Sequence, residues 1–178
     1  MRADARRNYE RLLAEARDLF EEQGPDAPLE EIARRADVGV GTLYRHFPTR
    51  QAVQEAVYRG RMQEIADAAY RLAKEYEPGE ALLRWLRVTL DHSANKKGLA
   101  TALTETIGRD SELFASCREM ITKAGELVLS NAQKAGIVRA DVDAMDLLKL
   151  VHGIAVATET TPDRADVLLG YIFDGIRG

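Results

Sequence analysis

The sequence predicts an all-α protein with a small N-terminal helical unit and a larger C-terminal one. Apolar residues recur with a period of about 3.6 in one segment after another, as expected for amphipathic helices. Strand-like alternation of apolar and polar residues is absent, and glycine and proline residues separate the segments. A chain of 178 residues has room for one small domain joined to a larger one.

The N-terminal part divides into three predicted helices. The first carries one apolar stripe that consists of Tyr9, Leu12, Leu13, Ala16, Leu19 and Phe20. Gly24-Pro25 ends this helix, and a short second helix carries Leu29, Ile32, Ala33 and Ala36. After a tight break at residues 37–39, a third helix is expected to end near Phe47.

A long fourth helix is predicted from about Arg50 to Tyr76. Pro48 cannot extend the third helix, and Thr49 is a good N-cap for the fourth. Pro78-Gly79 closes this helix, which would be roughly 40 Å long at the rise of an α-helix. We expect it to join the two units.

The remainder of the chain is predicted to be helical as well. Its helices are expected at about 80–94, 98–107, 110–135, 141–159 and 162–177. Asp141 is a plausible N-cap, and Thr161-Pro162 matches the preference for a capping residue followed by proline. These patterns predict a first domain over residues 1–51 and a second over residues 52–178, connected by the helix at about 50–76.

Composition excludes several classes of protein and argues against a nucleic-acid partner. No apolar run approaches the ~20 residues that span a bilayer, and the N-terminus lacks the apolar core of a secretory signal. The single cysteine, Cys117, excludes an internal disulfide and a multi-cysteine zinc site. We therefore expect a cytoplasmic protein. Its net charge is −4, and residues 1–51 hold nine basic against ten acidic residues, so any DNA binding must depend on where the charges lie.

The stretch "DVGVGTLYRHFPTR", residues 37–50, gathers hydrogen-bond donors in this acidic chain. On a helical wheel, Leu43, Phe47 and Val40 define a buried side. Gly41, Thr42, Arg45 and His46 lie opposite, and Tyr44 lies between, with its hydroxyl able to reach outward. A third helix of this kind after a helix and a tight turn is the geometry of a helix-turn-helix. The alternative is a solvated helix surface with incidental charge.

The segment "LEEIARRADVGVGTLYRHFPTRQAV" resembles the DNA-binding segment of TetR-type (TetR/AcrR) transcriptional regulators. The resemblance covers residues 7–58 and is strongest in the run Gly41-Thr42-Leu43-Tyr44-x-His46-Phe47. It implies that the first three helices form a DNA-binding unit and that the third enters the major groove. Gly39 stands where the family more often has serine, which gives the third helix a weaker cap.

The resemblance also implies roles for individual residues of the third helix and of the start of the fourth. Base edges would be contacted by Val40, Gly41, Thr42 and Arg45. Phosphates would be contacted by Tyr44, His46 and Arg50, where Arg50 stands at a position that is usually lysine in the family. Arg2, Arg6 and Arg7 would form a basic arm or a solvated tail. Arg34 and Arg35 are interpreted either as a solvated surface or as backbone contacts.

The second half is expected to serve dimerisation and ligand binding. The last two helices are rich in Leu, Ile and Val and contain Gly153 and Gly170, which permit close helix contact. The resemblance implies a homodimer through a four-helix bundle, although these helices could also pack on their own domain. A small-molecule effector is expected in the middle helices, without a cofactor or metal. The candidate lining, each member of which could equally be ordinary core, is Trp85, Leu86, Thr89, His92, Phe114, Cys117, Met120 and Ile121.

Catalysis has no support in the sequence. The three histidines are scattered, and no nucleophile elbow, phosphate loop or metal-ligand spacing is present. We predict a sequence-specific regulator, a ligand-responsive repressor that binds a near-palindromic operator in double-stranded DNA as a homodimer, and not an enzyme. The alternative is a helical small-molecule-binding or scaffolding protein without a DNA role.

Overall fold

The computed structural model describes the backbone of residues 2–94 and 98–178, and the side chains of residues 4–93 and 98–178. Nine α-helices run through this part of the chain. They are α1 (Arg2–Gln23), α2 (Leu29–Arg35), α3 (Val40–His46), α4 (Arg50–Glu75), α5 (Pro78–Ala94), α6 (Leu99–Ile107), α7 (Glu112–Lys134), α8 (Ala144–Ala157) and α9 (Ala165–Gly175). The all-α prediction is confirmed. The side chain of Arg2, predicted to belong to a basic arm, lies outside the described residues.

Two predictions near the C-terminal helices were wrong in detail. Asp143, rather than Asp141, caps α8, because the Asp143 carboxylate accepts hydrogen bonds from the backbone N–H groups of the next turn. Asp141 instead pairs with the Arg139 guanidinium at 2.6 Å. The last predicted helix is also not uniform, because Pro162–Arg164 forms a 3₁₀ turn before α9 begins.

The chain folds as two compact units, and α4 supplies residues to both. The first unit comprises residues 2–60 and 98–114, and the second comprises residues 61–94 and 115–178 within the described chain. The first unit thus contains α6 as well as α1, α2 and α3. A functional boundary near residue 51 stays a prediction.

The core of the first unit holds α2 and α3 against α1. Leu12, Leu19 and Phe20 of α1 are buried, as are Ile32 of α2 and Leu43 of α3. Burial of such side chains contributes roughly 1.5–3 kcal/mol each. The apolar periodicity of α1 therefore fixes the surface on which the two short helices pack.

The wheel prediction for α3 was right for two residues and wrong for one. Leu43 and Phe47 are buried, whereas Val40 is 43% exposed. Val40 is the first residue of a seven-residue helix, so the buried side of α3 is made by its second turn and the residue that follows. An apolar side chain is therefore available on the outer surface.

The first turns of α4 hold the loop between α1 and α2. Arg50 Nη1 donates to the carbonyl oxygens of Pro25 and Ala27, and Gln54 Nε2 donates to that of Pro25 at 3.0 Å. The predicted N-cap is confirmed, because the Thr49 hydroxyl accepts from the Ala52 N–H at 3.1 Å. The loop that leads into α2 is thus tied to α4 by side chains as well as by packing.

In the second unit, α5 packs on α8 and α9. Trp85 of α5 is fully buried, and its indole N–H donates to the Ile65 carbonyl at 3.0 Å. Leu82 and Leu86 of the same helix are also fully buried. In the described part of the chain, no helix is long and apolar enough to cross a membrane.

Candidate DNA-binding surface

The segment from α2 to α3 has the backbone of a helix-turn-helix. Asp37 has a positive φ of 50°, which turns the chain sharply after α2, and the Val38 N–H donates back to the Ala33 carbonyl at 2.9 Å. Gly39 precedes α3, and its carbonyl accepts from the Thr42 N–H at 2.8 Å. Because Gly39 has no side chain, it cannot cap α3 as serine would.

The outer side of α3 displays six of the seven predicted DNA contacts. Val40, Gly41, Tyr44 and Arg45 are exposed, while Thr42 and His46 are half-buried. A Cβ added at Gly41 would meet nothing within 4 Å among the described residues. The fold therefore does not require glycine there, whereas an outside surface could approach the backbone closely at that point.

Within this surface, Arg45 and Thr42 are hydrogen-bonded to each other. Arg45 Nη2 donates to the Thr42 hydroxyl at 3.0 Å, and Nε donates to the Gly41 carbonyl at 3.2 Å. The guanidinium thus lies along α3 over the preceding turn. Both side chains present polar atoms on the exposed side of the helix, where groove edges could be contacted.

The Tyr44 hydroxyl is held by a carboxylate of α2 that sequence reasoning did not place there. Its hydroxyl donates to Glu30 Oε1 at 3.0 Å, and both residues are exposed. This hydrogen bond raises the pKa of Tyr44. The pKa of Glu30 is lowered, first by its own backbone N–H, then by the Tyr44 hydroxyl, with a smaller contribution from the charge of Arg50.

His46 is positioned by aromatic contacts with α1. The Tyr9 ring meets the His46 ring edge-on, with centroids 5.9 Å apart, and it also contacts Phe47 at 5.1 Å. Phe47 is buried and Tyr9 is 37% exposed. The imidazole therefore lies at the rim of the core and remains half-buried.

Arg50, the seventh predicted contact, lies at the start of α4 rather than on α3. It is half-buried, and its Nη1 donates to Ala27 O at 2.5 Å and to Pro25 O at 3.3 Å. These bonds position the loop before α2. A contact between Arg50 and phosphate stays a prediction.

Arg34 and Arg35 are bound by acidic neighbours. Glu31 accepts hydrogen bonds from both guanidinium groups, and Glu22 of α1 accepts a further pair from Arg35. The bonds from Arg34 and then Arg35 lower the pKa of Glu31 to about 2. Each basic residue of α2 is therefore partly neutralised by the protein itself.

The predicted effector-lining residues are divided between the two units. Phe114 belongs to the first unit, where its ring meets that of Tyr58 edge-on at 5.1 Å. The other seven belong to the second unit: buried Trp85, Leu86, Thr89 and Cys117, and half-buried His92, Met120 and Ile121. The Thr89 hydroxyl donates to the Trp85 carbonyl at 2.9 Å, and His92 Nε2 lies 4.0 Å from a Glu64 oxygen. The effector site itself stays a prediction.

A helical unit that presents a short exposed third helix after a tight turn defines a helix-turn-helix DNA-binding protein. Comparison with known proteins agrees with this class. Residues 12–57 match the family model described as bacterial regulatory proteins, tetR family. Residues 77–178, more than half of the chain, match that of the C-terminal domain of SbtR-like transcriptional regulators. The chain belongs to the TetR family of transcriptional regulators.

Individual relatives match over nearly the whole chain. The TetR transcriptional regulator SCO0520 from Streptomyces coelicolor is 37% identical to this chain in sequence. Its crystal structure aligns with a TM-score of 0.82, covering 95% of this chain and 98% of that one. A TetR regulatory protein from Mycobacterium vanbaalenii is 38% identical, with a TM-score of 0.79 over 99% of each chain. The regulator UidR of Escherichia coli is 26% identical over 173 residues, which cover 89% of this chain and 85% of that protein. The relatives are thus regulators rather than enzymes.

Proposed function

We propose that this protein is a ligand-responsive repressor that binds a near-palindromic operator as a homodimer. The observation that carries the proposal is the outer surface of α3 in a helix-turn-helix. Four of its residues are exposed and two are half-buried, and together they offer hydrogen-bond donors, one glycine and one apolar side chain. A helix-turn-helix of this size contacts few base pairs. Specific recognition therefore requires two copies on a symmetric site.

The residues of α3 are proposed to divide between base edges and phosphates. Val40, Gly41, Thr42 and Arg45 would face base edges. A guanidinium and a hydroxyl can hydrogen-bond to base edges, and an apolar side chain can contact a thymine methyl group. Tyr44 and His46 would donate to phosphates. Arg50 would serve both the loop and a phosphate, because a guanidinium has five N–H donors and its loop bonds use only Nη1.

Dimerisation is proposed to use α8 and α9. Leu150 and Val156 of α8 are 48% and 61% exposed, and Tyr171 of α9 is 64% exposed. A Cβ at Gly153 or Gly170 would meet nothing within 4 Å in the described chain, so these helix surfaces are open to close contact. Apolar side chains left exposed beside small residues favour a second copy of the same helix pair. The dimer would be a four-helix bundle.

The effector is proposed to be a small molecule bound among the middle helices, over residues 80–135. Its binding would favour a conformation in which the two α3 helices no longer match the spacing of the operator half-sites. A ligand can shift this equilibrium only by its differential affinity, typically ~1–3 kcal/mol of coupling. We propose the cytoplasm as the site of action because the DNA of a bacterium lies there.

The experiment that tests the proposal is selection of random duplex DNA by the purified protein. The wild type is compared with the Tyr44→Phe/Arg50→Ala double variant and with Tyr70→Phe, which removes an exposed hydroxyl from α4 in the second unit. We expect an enriched near-palindrome for the wild type and for Tyr70→Phe, and its loss in the double variant. Failure of a folded wild-type dimer to enrich any sequence, with and without candidate effectors, would favour a helical binding or scaffolding role.

A further inference from the structure

We propose that Glu30 competes with DNA phosphate for the hydroxyl of Tyr44 and thereby lowers the affinity of this protein for DNA of any sequence. The inference rests on the proposed function, in which Tyr44 donates to a phosphate. It adds a residue of α2 that sets the strength of that contact. Glu30 would act by occupying the Tyr44 donor while the protein is free.

The chemical basis is the single proton of a phenol. A tyrosine hydroxyl has one O–H to donate, and that of Tyr44 is donated to Glu30 Oε1 at 3.0 Å. The same hydrogen cannot be given at once to a phosphate oxygen. Formation of the proposed phosphate contact therefore requires that the Tyr44–Glu30 bond break.

The Glu30 carboxylate can compete because it is a charged acceptor that already holds the Tyr44 hydrogen at 3.0 Å. Its pKa is lowered first by its own backbone N–H, then by the Tyr44 hydroxyl, and least by the charge of Arg50, whose effect is smaller than the opposing one of burial. Hydroxyl and amide donors together with a nearby arginine are also what hold a DNA phosphate at a protein surface. In the free protein, the Glu30 carboxylate thus accepts the Tyr44 hydrogen that a DNA phosphate is proposed to accept in the complex.

Exchange of partners has two unfavourable parts. The hydrogen bond from Tyr44 to a charged acceptor is given up for another of the same kind, so the net gain from the phosphate contact is small. Glu30 then keeps its negative charge beside an approaching phosphate backbone. Both effects weaken binding irrespective of sequence, since phosphate contacts carry no sequence information. Glu30 would therefore lower the affinity for specific and non-specific DNA by the same factor and leave the ratio between them unchanged.

A double-mutant cycle on a mixed-sequence DNA duplex tests this. Dissociation constants are measured by fluorescence anisotropy for the wild type, Glu30→Gln, Tyr44→Phe and the combination of the two. Glu30→Gln removes the charge and leaves only a weaker, neutral acceptor for the Tyr44 hydroxyl, so we expect about two- to fivefold tighter binding. In the Tyr44→Phe background the gain from Glu30→Gln should shrink to less than half, because the hydroxyl that it releases is missing.

The control is Glu119→Gln in the second unit. Glu119 is also an exposed carboxylate, and it accepts a hydrogen bond from Lys123 Nζ at 2.7 Å. Its replacement by glutamine makes the same charge change as Glu30→Gln. It should leave the affinity within error of the wild type. Thermal unfolding of every variant checks that the fold is retained.

The outcomes separate this inference from the proposed function. If the wild type binds the duplex and Tyr44→Phe weakens binding, Tyr44 contacts phosphate. Unchanged or weaker binding by Glu30→Gln would then overturn the competition alone. Equal gains in both backgrounds would also overturn it, because Glu30 would act only through its charge. If Tyr44→Phe has no effect on binding even in the Glu30→Gln background, where no carboxylate competes for the hydroxyl, the phosphate role of Tyr44 and the competition are both overturned.

Discussion

Trp85 of α5 lies against the backbone of Gly125 in α7, so closely that a Cβ at residue 125 would lie 2.6 Å from the end of the indole ring. The ring cannot easily retreat, because it is fully buried and its N–H donates to the Ile65 carbonyl. The close approach of α5 and α7 in the second unit therefore depends on the missing side chain of Gly125. This relationship makes the packing of the second unit testable by one methyl group.

Gly125→Ala is expected to destabilise the protein in spite of the better helix propensity of alanine. Overpacking costs about 1–3 kcal/mol, and a contact of 2.6 Å with a fixed ring should lie in the upper part of that range. This cost exceeds the ~1 kcal/mol gained by replacing glycine in a helix. Gly60→Ala in α4 is the matched control, because its Cβ would meet Leu13 at an ordinary 4.0 Å. Chemical denaturation should show a lower midpoint for Gly125→Ala and an equal or higher one for Gly60→Ala. A stabilised Gly125→Ala would contradict this account of the Trp85 contact.

Arg50→Ala is expected to reduce both stability and DNA affinity. It removes the hydrogen bonds that Nη1 donates to the loop carbonyls of Pro25 and Ala27, at a cost of about 1–2 kcal/mol. Loss of one phosphate contact should also reduce the slope of log affinity against log salt by about 1. Arg45→Ala is the comparison, since Arg45 is exposed and its loss should leave the denaturation midpoint unchanged. If Arg50→Ala left the salt slope intact, Arg50 would position the loop without touching phosphate.

Tyr171→Ser combined with Val156→Asp is expected to prevent dimerisation. These residues are the most exposed large apolar side chains of α9 and α8 within the described chain, so burying a carboxylate there would oppose association. Light scattering after size exclusion should give a dimer for the wild type and a monomer of unchanged helical content for the variant. Tyr70→Ser, at another exposed tyrosine, is the control. A variant that remains dimeric would place the interface elsewhere.

Stability in acid should depend on Glu31. Its pKa is lowered from an ordinary 4.5 to about 2 by hydrogen bonds from Arg34 and Arg35, so its folded form holds a proton less readily than its unfolded form. Such a group contributes stability that is fully present above about pH 4.5 and is lost as the pH falls towards 2. Glu31→Gln should therefore make the unfolding temperature less dependent on pH in that window. An identical pH dependence in the variant would show that these exposed ion pairs contribute nothing measurable.

The sequence predicted the elements and the buried side of α3 because these follow from local periodicity. Leu43 and Phe47 are spaced four residues apart, and the core receives both. Val40 was misplaced because the wheel treats a seven-residue helix as if it were covered along its whole length. The N-cap of α8 was placed two residues too early, at Asp141 instead of Asp143. Both are aspartates, so residue type alone does not show which of them precedes the first helical residue.

Contacts between elements could not be predicted in this way. Glu30 and Tyr44 are fourteen residues apart, and their contact depends on how α2 and α3 are placed by the turn between them, in which Asp37 has a positive φ. The loop carbonyls that accept from Arg50 lie more than twenty residues earlier in the chain. A helical wheel predicts which side of a helix an arginine or tyrosine occupies. It does not predict which acceptor on another element forms a hydrogen bond with that side chain.

The division of α3 into base-contacting and phosphate-contacting residues is tested most directly by binding to a panel of single-base variants of the selected duplex. Affinities are compared for the wild type, Thr42→Ala and Tyr44→Phe. We predict that Tyr44→Phe weakens binding to every duplex by the same factor, whereas Thr42→Ala changes the order of preference among them. A uniform loss for Thr42→Ala, or an altered order for Tyr44→Phe, would contradict the division of roles proposed for this helix.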